Sequence, residues 1–174
     1  MANVGTGLAA GMAAGKQAAQ TQKGAKAKFG AQQGAGPEFP YVVAGAKIYC
    51  DEGTHFRRLD LPKCHGVYIR DKAATHEEDS VHPDNIPIFG VCRSAMNANE
   101  AVQYDNPYNP DLLPFGEGMS FPILGKRCEP KVGKWLDAKE DTLVDGIAAL
   151  TVECTLACCY GGIIGFVTDG QEVE

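Results

Sequence analysis

The sequence predicts a mainly β domain with loop-rich insertions, preceded by an Ala/Gly-rich N-terminal extension of helical periodicity. Three observations predict it. Residues 1–39 are dominated by Ala, Gly, Gln and Lys, whereas from Tyr41 onward short runs of β-forming residues alternate with Gly, Pro, Asn and Asp. Within those runs the apolar residues alternate: Leu59 and Leu61 flank Asp60, and Val67 and Ile69 flank Tyr68. Period-two alternation gives a strand one buried face. Large apolar residues are few and glycine totals 21 of 174 residues, so the body has many turns and a thin core. Such a domain needs a staple.

The extension, residues 1–39, comes first. Val4, Leu8 and Met12 recur every four positions and share one helical face. Gly7, Gly11 and Gly15 have the same spacing on another face, a pattern that lets two helices approach closely. Each glycine costs about 1 kcal/mol against alanine in a helix, so the helix is expected to order against a partner. The extension ends near Gly34-Ala35-Gly36-Pro37, and Pro37 and Pro40 mark the change in structure.

The body, residues 40–174, is expected to carry strands over 41–49, 56–61, 66–70, 86–90, 142–150 and 161–168. A short helix is expected over 94–104. The stretch from 97 to 122 holds Asn106-Pro107, Asn109-Pro110, Pro114 and Pro122 and reads as loop.

Charge narrows the function classes. The net charge is −6, but residues 1–39 carry Lys16, Lys23, Lys26 and Lys28 against Glu38 alone, leaving the body at −9. An acidic body argues against nucleic acid, which is held mainly through phosphate contacts with Lys and Arg. The basic extension suits an acidic partner, an anionic membrane surface, or plain solubility. No run of eighteen apolar residues exists, so no simple membrane-spanning helix is expected. The apolar stretch 4–14 has no basic flank before it, so no Sec-type export is expected.

There are seven cysteines: Cys50, Cys64, Cys92, Cys128, Cys154, Cys158 and Cys159. An odd number cannot pair completely within the chain. In a reducing compartment disulfides are rare, and metal-held thiolates become the default for some of them. The double Cys-x-x-Cys of common zinc sites is absent. Spacing alone therefore leaves metal ligation and buried free thiol as equal alternatives.

Local sequence around the cysteines resembles the PAAR-like proteins that cap the spikes of type VI secretion systems. The resemblance begins at Tyr41-Val42-Val43-Ala44-Gly45-Ala46, followed by Ile48-Tyr49-Cys50 and Gly53. It continues through Leu59-Asp60-Leu61-Pro62 and His65-Gly66-Val67-Tyr68-Ile69. The most specific stretch is Asn85-Ile86-Pro87-Ile88-Phe89-Gly90-Val91-Cys92, with Ser94 and Asn97 after it. Cys128-Glu129-Pro130, Trp135, Ala149-Leu150-Thr151, Cys158, Tyr160-Gly161-Gly162-Ile163-Ile164 and Asp169-Gly170-Gln171 complete it. It spans about residues 41–171.

The resemblance implies a cone-shaped β domain and a non-enzymatic tip that sharpens a trimeric VgrG-type spike for membrane puncture and effector delivery. Its recurring cysteines fall on Cys50, Cys92, Cys128 and Cys158, which implies a tetrahedral four-cysteine site for zinc, with iron as the other candidate ion. Partners implied are the VgrG-type trimer, an effector or spike component at the extension, and transient contact with a target membrane. The implied location is the bacterial cytoplasm when assembled, then outside the cell or inside the target cell after firing. Cys64, Cys154 and Cys159 stand outside the family's recurrent pattern and remain alternative fourth ligands.

Other readings compete. Cys64-His65 suggests a thiol nucleophile, but neighbours on a strand point to opposite faces, and His65 is expected to serve a turn. The polar run His76-Glu77-Glu78-Asp79 with His82 suggests a hard-metal or acid–base cluster, and is expected instead to be a solvated loop. His55 has no evident partner. The sequence has no Gly-x-Ser-x-Gly elbow, phosphate loop or His-Glu-x-x-His motif. An autonomous effector with hydrolase activity and a metal-stapled adaptor unrelated to a spike stay as the alternative function classes.

Overall fold

A computed structural model describes residues 39–106, 108–114 and 120–172. The helical reading of the extension falls on residues outside that set. The described residues contain no helix and eleven short strands in four small sheets. The strands are β1 (Lys47–Cys50), β2 (Arg57–Arg58), β3 (Tyr68–Ile69), β4 (Lys72–Ala73), β5 (Val91–Cys92), β6 (Ala101–Tyr104), β7 (Ile123–Arg127), β8 (Lys139–Val144), β9 (Ile147–Ala149), β10 (Leu156–Ala157) and β11 (Ile163–Phe166). Every pairing is antiparallel.

The central sheet runs β10-β11-β1-β2, with Ile48 opposite Phe166 and Cys50 opposite Ile164. The second sheet, β5-β7-β6, places Cys92 opposite Lys126. Two hairpins, β3-β4 and β8-β9, complete the set. The main core gathers Val42, Ile48, Leu59, Ile86, Phe89, Trp135, Leu150, Leu156, Ile164 and Phe166, and Cys50, Cys92, Cys128 and Cys154 pack into it. Trp135 stacks on Phe166 with ring centroids 4.5 Å apart, and its indole N–H donates to the Asp79 carbonyl at 2.9 Å. A buried indole with its polar atom satisfied contributes its full apolar area.

Four expectations need correction. The helix over 94–104 is absent, because side-chain amides take the bonds a helix needs. Asn97 receives the Asn99 N–H on its Oδ1 and donates to the Arg127 carbonyl, and Ala101–Tyr104 forms a strand instead. The strand over 86–90 is irregular loop, interrupted by Pro87 and by Gly90 at φ 77°. Residues 142–150 form no single strand: the chain reverses at Asp145 (φ 52°) and Gly146 (φ 81°), the left-handed pair of a tight hairpin turn. The expected strand over 41–49 shortens to β1, because the chain turns at Gly45 (φ 88°) and Tyr41 and Val43 make only isolated bridges.

Candidate metal centres

The four cysteines of the expected ligand set come from four strand ends. Cys50 closes β1 and Cys92 closes β5. Cys128 follows β7, and Cys158 follows β10. Backbone bonds fold these ends toward one another. Gly53 N–H donates to the Cys50 carbonyl and Gly53 bridges to Cys92. Cys128 N–H donates to the Gly90 carbonyl, and Cys158 N–H to that of Gly162. All four thiols line one small enclosed cavity with Glu52, Asn97, Glu129, Pro130, Tyr160 and Gly162. Its free space holds about one water-sized body.

Two glycines make the cavity. A Cβ on Gly162 would lie 3.0 Å from Cys50 Sγ, and one on Gly53 would lie 2.7 Å from Phe89 Cβ and 3.3 Å from Cys128 Sγ. A side chain at either position would press into the sulfurs.

The thiols interact electrically. A hydrogen bond from Cys128 holds the Cys50 thiol below the ordinary thiol range, against the opposing effect of burial. The same bond, with burial and the neighbouring Cys50 and Cys92 sulfurs, pushes Cys128 far up. Burial raises Cys158.

The other cysteines lie elsewhere. Cys64 is exposed, with its sulfur accepting from Gly66 N–H at 3.2 Å. Cys154 is buried in a turn, accepting from Thr151 N–H and donating to the Asp137 carbonyl. Cys159 is exposed and lines an open outer groove.

A second group takes His76 and Asp79 from the polar run and joins them to His65 rather than to His82. His65, His76 and Asp79 offer ligand atoms that all lie within 4.8 Å of one another and could hold a metal ion. Among the described residues this is the one group of three or more that meets that spacing, so the cysteine sulfurs surround their cavity more widely. His65 Nε2 lies 2.9 and 3.1 Å from the two Asp79 oxygens, and the His65 and His76 rings meet at a tilt with centroids 3.9 Å apart. Asp79 and His76 are buried, which corrects the expectation of a solvated loop there. The His76-x-x-Asp79 spacing was visible, but burial was not.

His55 is fully buried. Its Nδ1 bonds Thr54 Oγ1 at 2.8 Å, its ring meets Tyr104 edge to face, and its Nε2 has no hydrogen-bond partner. Cys64-His65 forms no catalytic pair in this arrangement, since His65 turns to Asp79.

A family model for a domain of unknown function, DUF4280, matches residues 42–171. The chain belongs to the DUF4280 family. The DUF4280 match spans the region that holds both candidate centres. No curated protein and no solved structure matches the chain. No helix among the described residues of this DUF4280 protein is long and apolar enough to cross a membrane.

Proposed function

We propose that this DUF4280 protein is a non-enzymatic tip of the PAAR-like kind. It caps a VgrG-type spike trimer of a type VI secretion system, and one ion on Cys50, Cys92, Cys128 and Cys158 staples its strand ends together. The observation that carries the reading is the shared cavity: cysteines scattered from position 50 to position 158 line one small space at the ends of four strands. Zinc–thiolate bonds of about 2.3 Å place tetrahedral sulfurs about 3.8 Å apart, so an ion would draw these sulfurs inward and tighten the loops that carry them. Iron satisfies the same donor set. Four thiolate ligands leave no open coordination position, which suits a structural ion and a mechanical role rather than catalysis.

Short strand ends and a small core support the same reading. A rigid tip needs cross-links where apolar burial is scarce, and a structural ion contributes on the order of 10 kcal/mol to folding. The extension, residues 1–39, is assigned to binding an effector or a spike component. Docking on the trimer would extend the partner's β-structure through backbone pairing.

Co-purification tests the reading. The metal-loaded protein should co-elute with a trimeric VgrG-type spike protein, and the Cys128→Ser variant should not. A folded, metal-loaded protein that binds no such trimer would favour an unrelated metal-stapled adaptor. A hydrolytic activity lost in Cys64→Ala with the fold retained would favour an autonomous effector.

A further inference from the structure

We propose that His65, His76 and Asp79 form a second metal site, for a divalent transition ion of the zinc class, that clasps the open end of the β3-β4 hairpin. The site shares no residue with the cysteine cavity and stands whether or not the tip reading holds.

Register brings the histidines together. Tyr68 pairs with Ala73 and Ile69 with Lys72, so the hairpin pairs residues whose numbers sum to 141. Ala74 N–H donates to the Val67 carbonyl in the same register. Extended one step on the same face, that register sets His65 opposite His76, and their rings meet there, tilted 32° with centroids 3.9 Å apart.

The carboxylate is fixed before any ion arrives. Asp79 Oδ2 accepts the His76 backbone N–H at 2.8 Å, and the Asp79 carbonyl accepts the Trp135 indole N–H at 2.9 Å. Such outer bonds hold a ligand in position. His76 Nδ1 accepts the Glu78 N–H over a long 3.3 Å and lies 3.5 Å from Asp79 Oδ2, so an ion there would take its one lone pair in place of that bond. Two acceptors facing each other in a buried place are stabilised by a cation between them. Two imidazoles and one carboxylate select zinc-class ions over magnesium or calcium. The His65 side chain is 13% exposed, which leaves an ion a way in from solvent. Three protein ligands leave the fourth position to water or to a donor from a partner.

Zinc loading of the full chain, followed by desalting and elemental analysis, tests the site. The wild type should retain one more equivalent of zinc than Asp79→Asn or His65→Gln. Cys128→Ser should keep the histidine-site equivalent. With cobalt in place of zinc, the Asp79→Asn variant should keep its full thiolate charge-transfer absorption, which belongs to the cysteine site alone. Should the variants fail to fold, the imidazole nitrogen resonances of the wild type decide: zinc should shift those of His65 and His76 together. Equal zinc content in wild type and folded Asp79→Asn, or histidine resonances that zinc leaves unmoved, would overturn the proposal and leave a proton-bridged His–Asp cluster.

Discussion

The Cys50 and Cys128 side chains line one small cavity, although Cys50 ends a strand of the central sheet and Cys128 follows a strand of another. Burial alone would raise both groups. Instead Cys50 is lowered and Cys128 raised, each chiefly through the other thiol. Cys128→Ser is expected to lose the bound ion and to unfold at markedly lower temperature, while Cys64→Ser and Cys159→Ser keep both ion and melting point. Thermal melts beside elemental analysis check this.

The glycines packed closely against Phe89 and His55 should be intolerant. Gly53→Ala puts a Cβ 2.7 Å from Phe89 Cβ, and the close approach should cost about 1–3 kcal/mol. Gly90→Ala should cost more, since its Cβ would meet His55 Nδ1 at 2.0 Å and its φ of 77° favours glycine. Urea unfolding of both variants measures the difference. Gly66→Ala, with open space around its Cβ, should show only the backbone strain of φ 79°.

Trp135 offers a direct probe of the core. It is the sole tryptophan, it is buried, and it stacks on Phe166. Trp135→Ala should destabilise by about 3–5 kcal/mol. In the wild type, unfolding should shift indole emission to longer wavelength in step with loss of the bound ion.

Acid should weaken the fold through His55. Burial, then the Arg57 charge, holds its imidazole below the ordinary range, with Asp111 partly offsetting them. The unfolded chain therefore takes up the proton first. Stability from the neutral ring is complete above about pH 6.5 and declines as pH falls through the lower folded value. Stability measured from pH 8 to pH 5 should drop less steeply in His55→Gln than in the wild type.

Removing residues 1–36 should leave the body folded and metal-bound but weaken one partner interaction. A truncated body that fails to fold, or full binding of every partner, would refute the role assigned to the extension.

Much of this architecture was legible. Alternation at Leu59–Leu61 and Val67–Ile69 pointed to strands with one buried face, but the regular pairing covers only Arg57–Arg58 and Tyr68–Ile69, Leu59–Leu61 forms no strand, and Val67 is exposed. The four cysteines of the shared cavity were marked by their local contexts, not by spacing. The Ile123–Arg127 strand went unread, because it follows directly on a proline-marked stretch and its pairing with Ala101–Tyr104, inside that stretch, is long-range. Asp145-Gly146 was a readable hairpin turn inside a segment taken as one strand. The His65–His76–Asp79 group depends on hairpin register and on burial under Trp135, neither of which a polar run of sequence displays.

Elemental analysis of the purified protein and of single Cys50, Cys92, Cys128 and Cys158 variants tests the central claim most directly. The four-cysteine staple predicts one tightly held zinc or iron at that site in the wild type, lost in each of the four variants and retained in Cys64→Ser. A fully folded wild-type protein whose metal content is unchanged by all four substitutions would contradict it.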